Sequence, residues 1–171
     1  MPLSGLVRVG AHKGLLRRMV LDFKFRRGPI DRTLGRLMVA ALQGTPWHRQ
    51  LDAVVPVPLH WFRRLERGHH PTRALAKVVG SALRLPVVEV LRRTRYDRPQ
   101  VGLSRPQRLE NVRGSFAVVR GARLEGVTVC VIDDVTTTGA TLAETARTLR
   151  KAGVAHIYAA VIAKGESTQT A

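Results

Sequence analysis

Three short stretches of this chain are apolar almost from end to end: Ala53 to Val57 in LDAVVPVPLH, Val127 to Ile132 (VTVCVI) and the run HIYAAVIA from His156 to Ala163. A strand with one face in water alternates apolar and polar residues, whereas a strand without a polar face must be covered on both sides. The segments between them carry helical spacing. Leu15, Leu16, Met19, Val20 and Phe23 recur across His12–Lys24. Ile30, Leu34, Leu37, Met38 and Ala41 recur across Ile30–Gln43, with Pro29 as a first-turn proline. PTRALAKVVGSAL (71–83) and ATLAETARTLRKAG (140–153) predict two more helices, the second ended by Gly153. Strands alternating with helices predict an α/β fold, a mainly parallel twisted sheet flanked by helices. VVEVLRR and SFAVV predict two shorter strands. Between them YDRPQVGLSRPQRLENVRG has two prolines, two glycines and almost no apolar periodicity, and predicts a long mobile loop.

In a parallel sheet of this kind ligands bind beyond the carboxyl ends of the strands. At one such end stands VCVIDDVTTTGATL, Val129 to Leu142. The spacing predicts that Asp133 and Asp134 emerge from the strand, that Thr136, Thr137, Thr138 and Gly139 turn tightly, and that a helix starts near Ala140. A helix N-terminus offers unpaired N–H groups and partial positive charge, and small hydroxyl residues with a glycine let a phosphate come close. Adjacent carboxylates suit a diol or a hydrated Mg²⁺. The parts together describe a sugar phosphate; any one alone describes no more than a capped helix.

Charge agrees with an anionic ligand. The 171 residues hold 29 Lys/Arg and 12 Asp/Glu, and residues 1–100 alone hold 20 against 6. Such a field attracts phosphorylated small molecules and nucleic acid alike. No apolar run approaches the length that spans a bilayer, and Arg8, His12 and Lys13 interrupt the N-terminus where a signal peptide is apolar, so a cytoplasmic protein without membrane contact is expected. Cys130, the only cysteine, lies in an apolar run and predicts a buried, unreactive thiol. GLVRVGAHKG echoes a phosphate-binding loop but lacks the Gly-Lys-Ser/Thr ending, which excludes that kind of ATPase site.

VCVIDDVTTTGATL resembles the motif by which type I phosphoribosyltransferases bind 5-phosphoribosyl-1-pyrophosphate (PRPP). Further segments resemble the ComF/GntX-like branch: Lys24, Phe25 and Gly28 at the end of the first helix, the Pro-Val-Pro-Leu-His turn at 56–60 with its Arg–Gly loop, and Gln100, Leu103, Arg108 and Asn111 in the long loop. The resemblance implies that Asp133 and Asp134 bind the ribose 2′- and 3′-hydroxyls while Thr136, Thr137, Thr138, Gly139, Ala140 and Thr141 cradle the 5′-phosphate. It places a pyrophosphate loop at Pro58, Leu59, His60, Arg63, Arg64 and Arg67, a stretch that also reads as a solvated basic loop. It makes Arg98–Arg113 a loop that closes over PRPP, with Arg108 and Asn111 as candidate catalytic contacts. Mg²⁺ would arrive with PRPP and water, with Asp133 and Asp134 as its possible ligands. By the same resemblance residues 1–50 form a small helical hood, 51–163 the core and 164–171 a flexible tail, and the assembly is a homodimer.

The family's pattern is not followed everywhere. These residues contain no four-cysteine zinc module, and His60, His69 and His70 have no Cys or acidic partner at ligand spacing, so no zinc is expected. Arg67-Gly68-His69-His70-Pro71 stands where the branch has Arg-Gly-Phe-Asn-Gln. Thr137 stands where 6-oxopurine enzymes have an acidic general base, which argues against hypoxanthine or guanine as acceptor. Two functions follow: transfer of 5-phosphoribosyl to an unidentified nitrogen acceptor with release of pyrophosphate, or a non-catalytic PRPP- or nucleotide-sensing adaptor in DNA uptake. The adaptor would have single-stranded DNA or a competence helicase as partner.

Overall fold

A computed structural model of the chain describes residues 3–25, 29–59, 70–95 and 105–165. Along the chain run β1 (Gly5–Ala11), α1 (Gly14–Phe25), α2 (Pro29–Gln43), a single 3₁₀ turn (His48–Gln50), β2 (Ala53–Pro56), α3 (Pro71–Leu83), β3 (Leu91–Arg93), α4 (Arg105–Val112), β4 (Phe116–Val118), β5 (Thr128–Thr136), α5 (Ala140–Lys151) and β6 (His156–Lys164). Four strands form one parallel sheet in the order β1-β6-β5-β2, and β3 pairs antiparallel with β4 in a separate ribbon. The α/β architecture expected from the apolar strands is the one observed.

The two central strands are buried along nearly their whole length because both sheet faces are covered. On one face Cys130, Ile132, Ala160 and Ile162 pack with Val20, Phe23, Leu34, Met38 and Leu75 from α1, α2 and α3. On the other, Val129, Val131, Ile157, Ala159 and Val161 pack with Leu142, Ala146 and Leu149 of α5 and with Leu91 and Phe116 of the ribbon. Each such large side chain contributes about 1.5–3 kcal/mol by leaving water.

Helix α3 has the predicted bounds. Pro71 presets its first turn, His70 caps it and Arg84 ends it in a left-handed conformation at φ 56°. Three elements differ from expectation. β1 joins the sheet edge where no strand was expected, the exposed Arg8 and the glycines Gly5 and Gly10 having blurred the apolar signal, so residues 1–50 supply a strand as well as helices. β5 continues past Ile132 to Thr136, held by pairing Asp133 with Val161, Val135 with Ala163 and Thr136 with Lys164. Residues 105–112 of the supposed loop are the helix α4.

Candidate functional site

The carboxyl ends of β2, β5 and β6 lie side by side, and Asp133, Asp134, the turn that follows them, Pro58 and Leu59 fall along that edge. Asp133 and Asp134 do not emerge from β5; they are consecutive positions within it. Asp133 is buried at 8% exposure and accepts from the amide of Asp134 at 2.9 Å. Asp134 is half-buried and accepts from the amide of Val135 at 2.7 Å. Each carboxylate therefore has one oxygen bonded to the following backbone amide, which fixes its direction. β6 offers β5 a partner along its whole length, and pairing overrides the low strand propensity of aspartate.

Thr136 ends β5 and is itself buried. Its carbonyl accepts from the Gly165 amide at 2.8 Å, so the residue after β6 backs the turn. A Cβ at Gly165 would stand 2.9 Å from the Thr137 methyl, hence the small residue there. Thr138 Oγ1 accepts from the Ala140 amide at 3.3 Å, and Gly139 precedes α5 in the left-handed region at φ 77°. A side chain at such a φ costs roughly 1–2 kcal/mol, which explains glycine at this point. Ala140 and Thr141 open α5, with Ala140 buried and Thr141 half-buried, and first-turn amides have no intrahelical acceptor. The turn and helix start fall where the sequence placed them.

β2 brings a second predicted group alongside. Pro56 is in register with Ile132, and the Val57 amide donates to the Ile132 carbonyl at 3.0 Å, so Pro58 and Leu59 lead away directly beside Asp133. Thr72 Oγ1 donates to the Val57 carbonyl at 2.7 Å, which ties this exit to the start of α3. His70 lies between them: the Leu59 amide is 3.3 Å from Nε2, the Arg73 amide 3.3 Å from Nδ1, and Thr72 Oγ1 3.0 Å from Nδ1. A neutral imidazole has one acceptor nitrogen, so the turn after β2 and the cap of α3 compete for it. His60, Arg63, Arg64, Arg67 and His69 lie outside the described residues, as do Gly28, Gln100 and Leu103.

Arg108 and Asn111 are both carried by α4, and Asn111 is half-buried. The helix reaches the site through Glu144 of α5, whose Oε1 accepts from the Gly114 amide at 2.8 Å. Glu144 is nearly buried and also pairs with Arg147. A cleft of about 540 Å³ between α4 and α5 is lined by Glu110, Arg113, Gly114, Glu144 and Arg147 and reaches Ala140, so α4 and the start of α5 border one space. Sequence reasoning passed over Glu144, although an acid on the buried face of an otherwise apolar-faced helix was its signal. It had no means of finding Thr72 or Gly165, whose roles depend on partners distant in sequence.

Among the described residues no helix is long and apolar enough to cross a membrane. Residues 67–171 match the phosphoribosyl transferase domain family. Competence protein F of Haemophilus influenzae is 34% identical over 158 residues, which cover 89% of this chain and 69% of that protein. DNA utilization protein YhgH of Escherichia coli is 30% identical over 161 residues, 91% of this chain and 70% of that protein. In fold, the chain is similar to glutamine phosphoribosylpyrophosphate amidotransferase from B. subtilis, solved with ADP and GMP. That likeness has a TM-score of 0.54 at 21% identity and covers 83% of this chain but only 30% of the amidotransferase chain. The domain match, the two relatives and the parallel sheet lead to one assignment: this chain belongs to the type I phosphoribosyltransferase family, in its ComF-like branch.

Proposed function

We propose that the protein is a PRPP-dependent phosphoribosyltransferase, which moves 5-phosphoribosyl to a nitrogen nucleophile and releases pyrophosphate. The observation that carries this reading is the turn from β5 into α5. Three threonines and a left-handed glycine lead into a helix start that suits a phosphate, whose arrival would displace Thr138 Oγ1 from the Ala140 amide, directly after two oriented carboxylates. In this reading the 5′-phosphate sits on the amides of Gly139, Ala140 and Thr141, where the helix dipole favours negative charge. Asp133 and Asp134 accept from the ribose hydroxyls and bring negative charge near a ribosyl centre that becomes positive as its bond to pyrophosphate breaks. The pyrophosphate leaves toward the turn at Pro58 and Leu59, with Arg63, Arg64 and Arg67 as its expected counter-charges.

No group of three His, Cys, Asp or Glu residues among the described residues is placed to hold a metal ion. The adjacent carboxylates of Asp133 and Asp134 suit a hydrated Mg²⁺ carried in by the pyrophosphate, which it would neutralise. PRPP titration by calorimetry with Mg²⁺ tests the reading, followed by pyrophosphate release against a panel of bases and amines. Saturable binding that Asp134→Asn weakens is the expected result. Absence of binding by the wild-type chain, with the aspartate variants indistinguishable from it, would end the proposal.

The relatives' names favour a second reading, an adaptor in DNA uptake with single-stranded DNA or a helicase as partner. The basic first hundred residues are compatible with it. Turnover of PRPP separates the two, because an adaptor would bind PRPP and release no pyrophosphate.

A further inference from the structure

Several carbonyls at the carboxyl end of α4 meet the side chain of Arg95. The last carbonyls of a helix have no intrahelical donors and carry partial negative charge. Arg95 supplies donors: the two hydrogens of its Nη2 are shared among the carbonyls of Arg113 at 2.5 Å, Asn111 at 3.3 Å and Glu110 at 3.4 Å, the last of which also accepts from the Arg113 amide at 3.2 Å. Its Nε donates to Ser115 Oγ at 3.3 Å, and Ser115 is fully buried. Arg95 is itself fixed, because it continues the ribbon of β3 and β4. Thr94 donates from its amide to the Ser115 carbonyl at 2.9 Å and from Oγ1 to the Gly114 carbonyl at 3.0 Å. Gly114 in turn donates to Glu144, four residues into α5. A line of hydrogen bonds thus runs from the helix that opens at the phosphate turn, through Glu144 and Gly114, to the ribbon and Arg95, and from Arg95 to the end of α4.

Helix α4 needs such a hold. RPQRLENV has two apolar residues besides its proline, and eight residues are too few for a helix to persist unaided. A guanidinium fork reaches several carbonyls at once; a lysine ammonium, a point charge on a flexible stem, does not keep that geometry. On the phosphoribosyltransferase reading, α4 carries the candidate catalytic residues. We propose that Arg95 is a positioning residue for the transfer reaction: it fixes where α4, the helix that carries Arg108 and Asn111, stands relative to a ligand seated at the start of α5, without contacting that ligand.

The test is a double-mutant comparison. PRPP affinity with Mg²⁺ is measured by calorimetry for the wild type, Arg95→Gln, Arg95→Lys, the Arg108→Ala/Asn111→Ala double variant, and that double variant with Arg95→Gln added. Thermal midpoints are recorded for each. Both Arg95 variants are expected to weaken PRPP about tenfold, since misplacing a contact by an ångström costs that much or more. In the double-variant background Arg95→Gln is expected to change affinity less than twofold, nothing being left to position. Equal losses in both backgrounds, or a lowered midpoint with unchanged affinity, would overturn the role. Should Arg95→Gln not fold, Arg95→Lys keeps the charge at the helix end and answers the same question. A wild type that binds no PRPP would sink the underlying reading and this inference with it. Binding that Asp134→Asn abolishes and both Arg95 variants leave intact would sink this inference alone.

Discussion

Asp133 and Asp134 stand out in the sequence as two acids together in a basic chain, and the strand they occupy gives them different exposure. Asp134 is the more accessible, and its Oδ1 is already engaged by the Val135 amide. Asparagine in its place keeps an oxygen for that amide and removes only the charge. Hydrogen bonds to a charged group contribute roughly 1.5–3 kcal/mol. Asp134→Asn is therefore expected to weaken PRPP binding about ten- to a hundredfold in calorimetry and to leave the thermal midpoint nearly unchanged; a tight-binding variant would show that the diol is held elsewhere. Cys130 illustrates a residue read correctly from its neighbours. It is fully buried between strands, and burial pushes its thiol from 9.0 up to about 12. The folded state holds the proton while the unfolded chain gives it up above pH 9, so stability falls as pH rises from there toward 12. Denaturant titrations at pH 8 and pH 10.5 are expected to show a loss on the order of 2 kcal/mol in the wild type that Cys130→Ala escapes. An equal loss in both would assign the alkaline effect to other groups.

At the scale of elements, legibility followed the amount of local information. Helix α3 announces itself through the run PTRALAKVVGSAL, an apolar stripe opened by Pro71, and its observed bounds match the expected ones; its His70 cap was not legible. β1 and α4 were not, because neither carries its own case: β1 depends on pairing with β6, and α4 on Arg95 and Glu144. The turn between β5 and α5 was legible since every residue in it is there for local reasons of size, hydroxyl or backbone freedom. Helix packing was not, and Gly35 shows why. It lies on α2 against α3, and a Cβ there would come within 2.5 Å of the Val78 Cγ1 methyl. Nothing in the periodicity of α2 marks that glycine as the contact point of two helices. Overpacking of this kind costs roughly 1–3 kcal/mol. Gly35→Ala is expected to lower the denaturant midpoint by a corresponding amount, and Val78→Ala in the same chain to restore part of it. Strict additivity of the two substitutions would mean that the helices do not meet there.

For the molecule as a whole, the question is what its positive charge is for. Twenty of the 29 basic residues fall in the first hundred, while the phosphate turn lies in the remaining 71. A field spread over half the chain holds a polymer by displacing its counterions, a mechanism that weakens steeply with salt, whereas a small ligand is held by amides and carboxylates within hydrogen-bonding reach. The two modes separate in a thermal-shift series run with Mg²⁺ at 50 mM and 300 mM NaCl. A ligand at a hundred times its dissociation constant stabilises the folded state by about 2.7 kcal/mol, and 1 kcal/mol moves the midpoint of a chain of this size by roughly 2–4 °C. PRPP near that concentration is expected to raise the midpoint by about 5–10 °C and to retain most of the shift at the higher salt. Single-stranded DNA, if it binds through the basic half, should lose most of its shift over the same range. A PRPP shift that vanishes with salt as the DNA shift does would mean that the ligand is held by the field alone, and that the turn after Asp133 and Asp134 is not its seat.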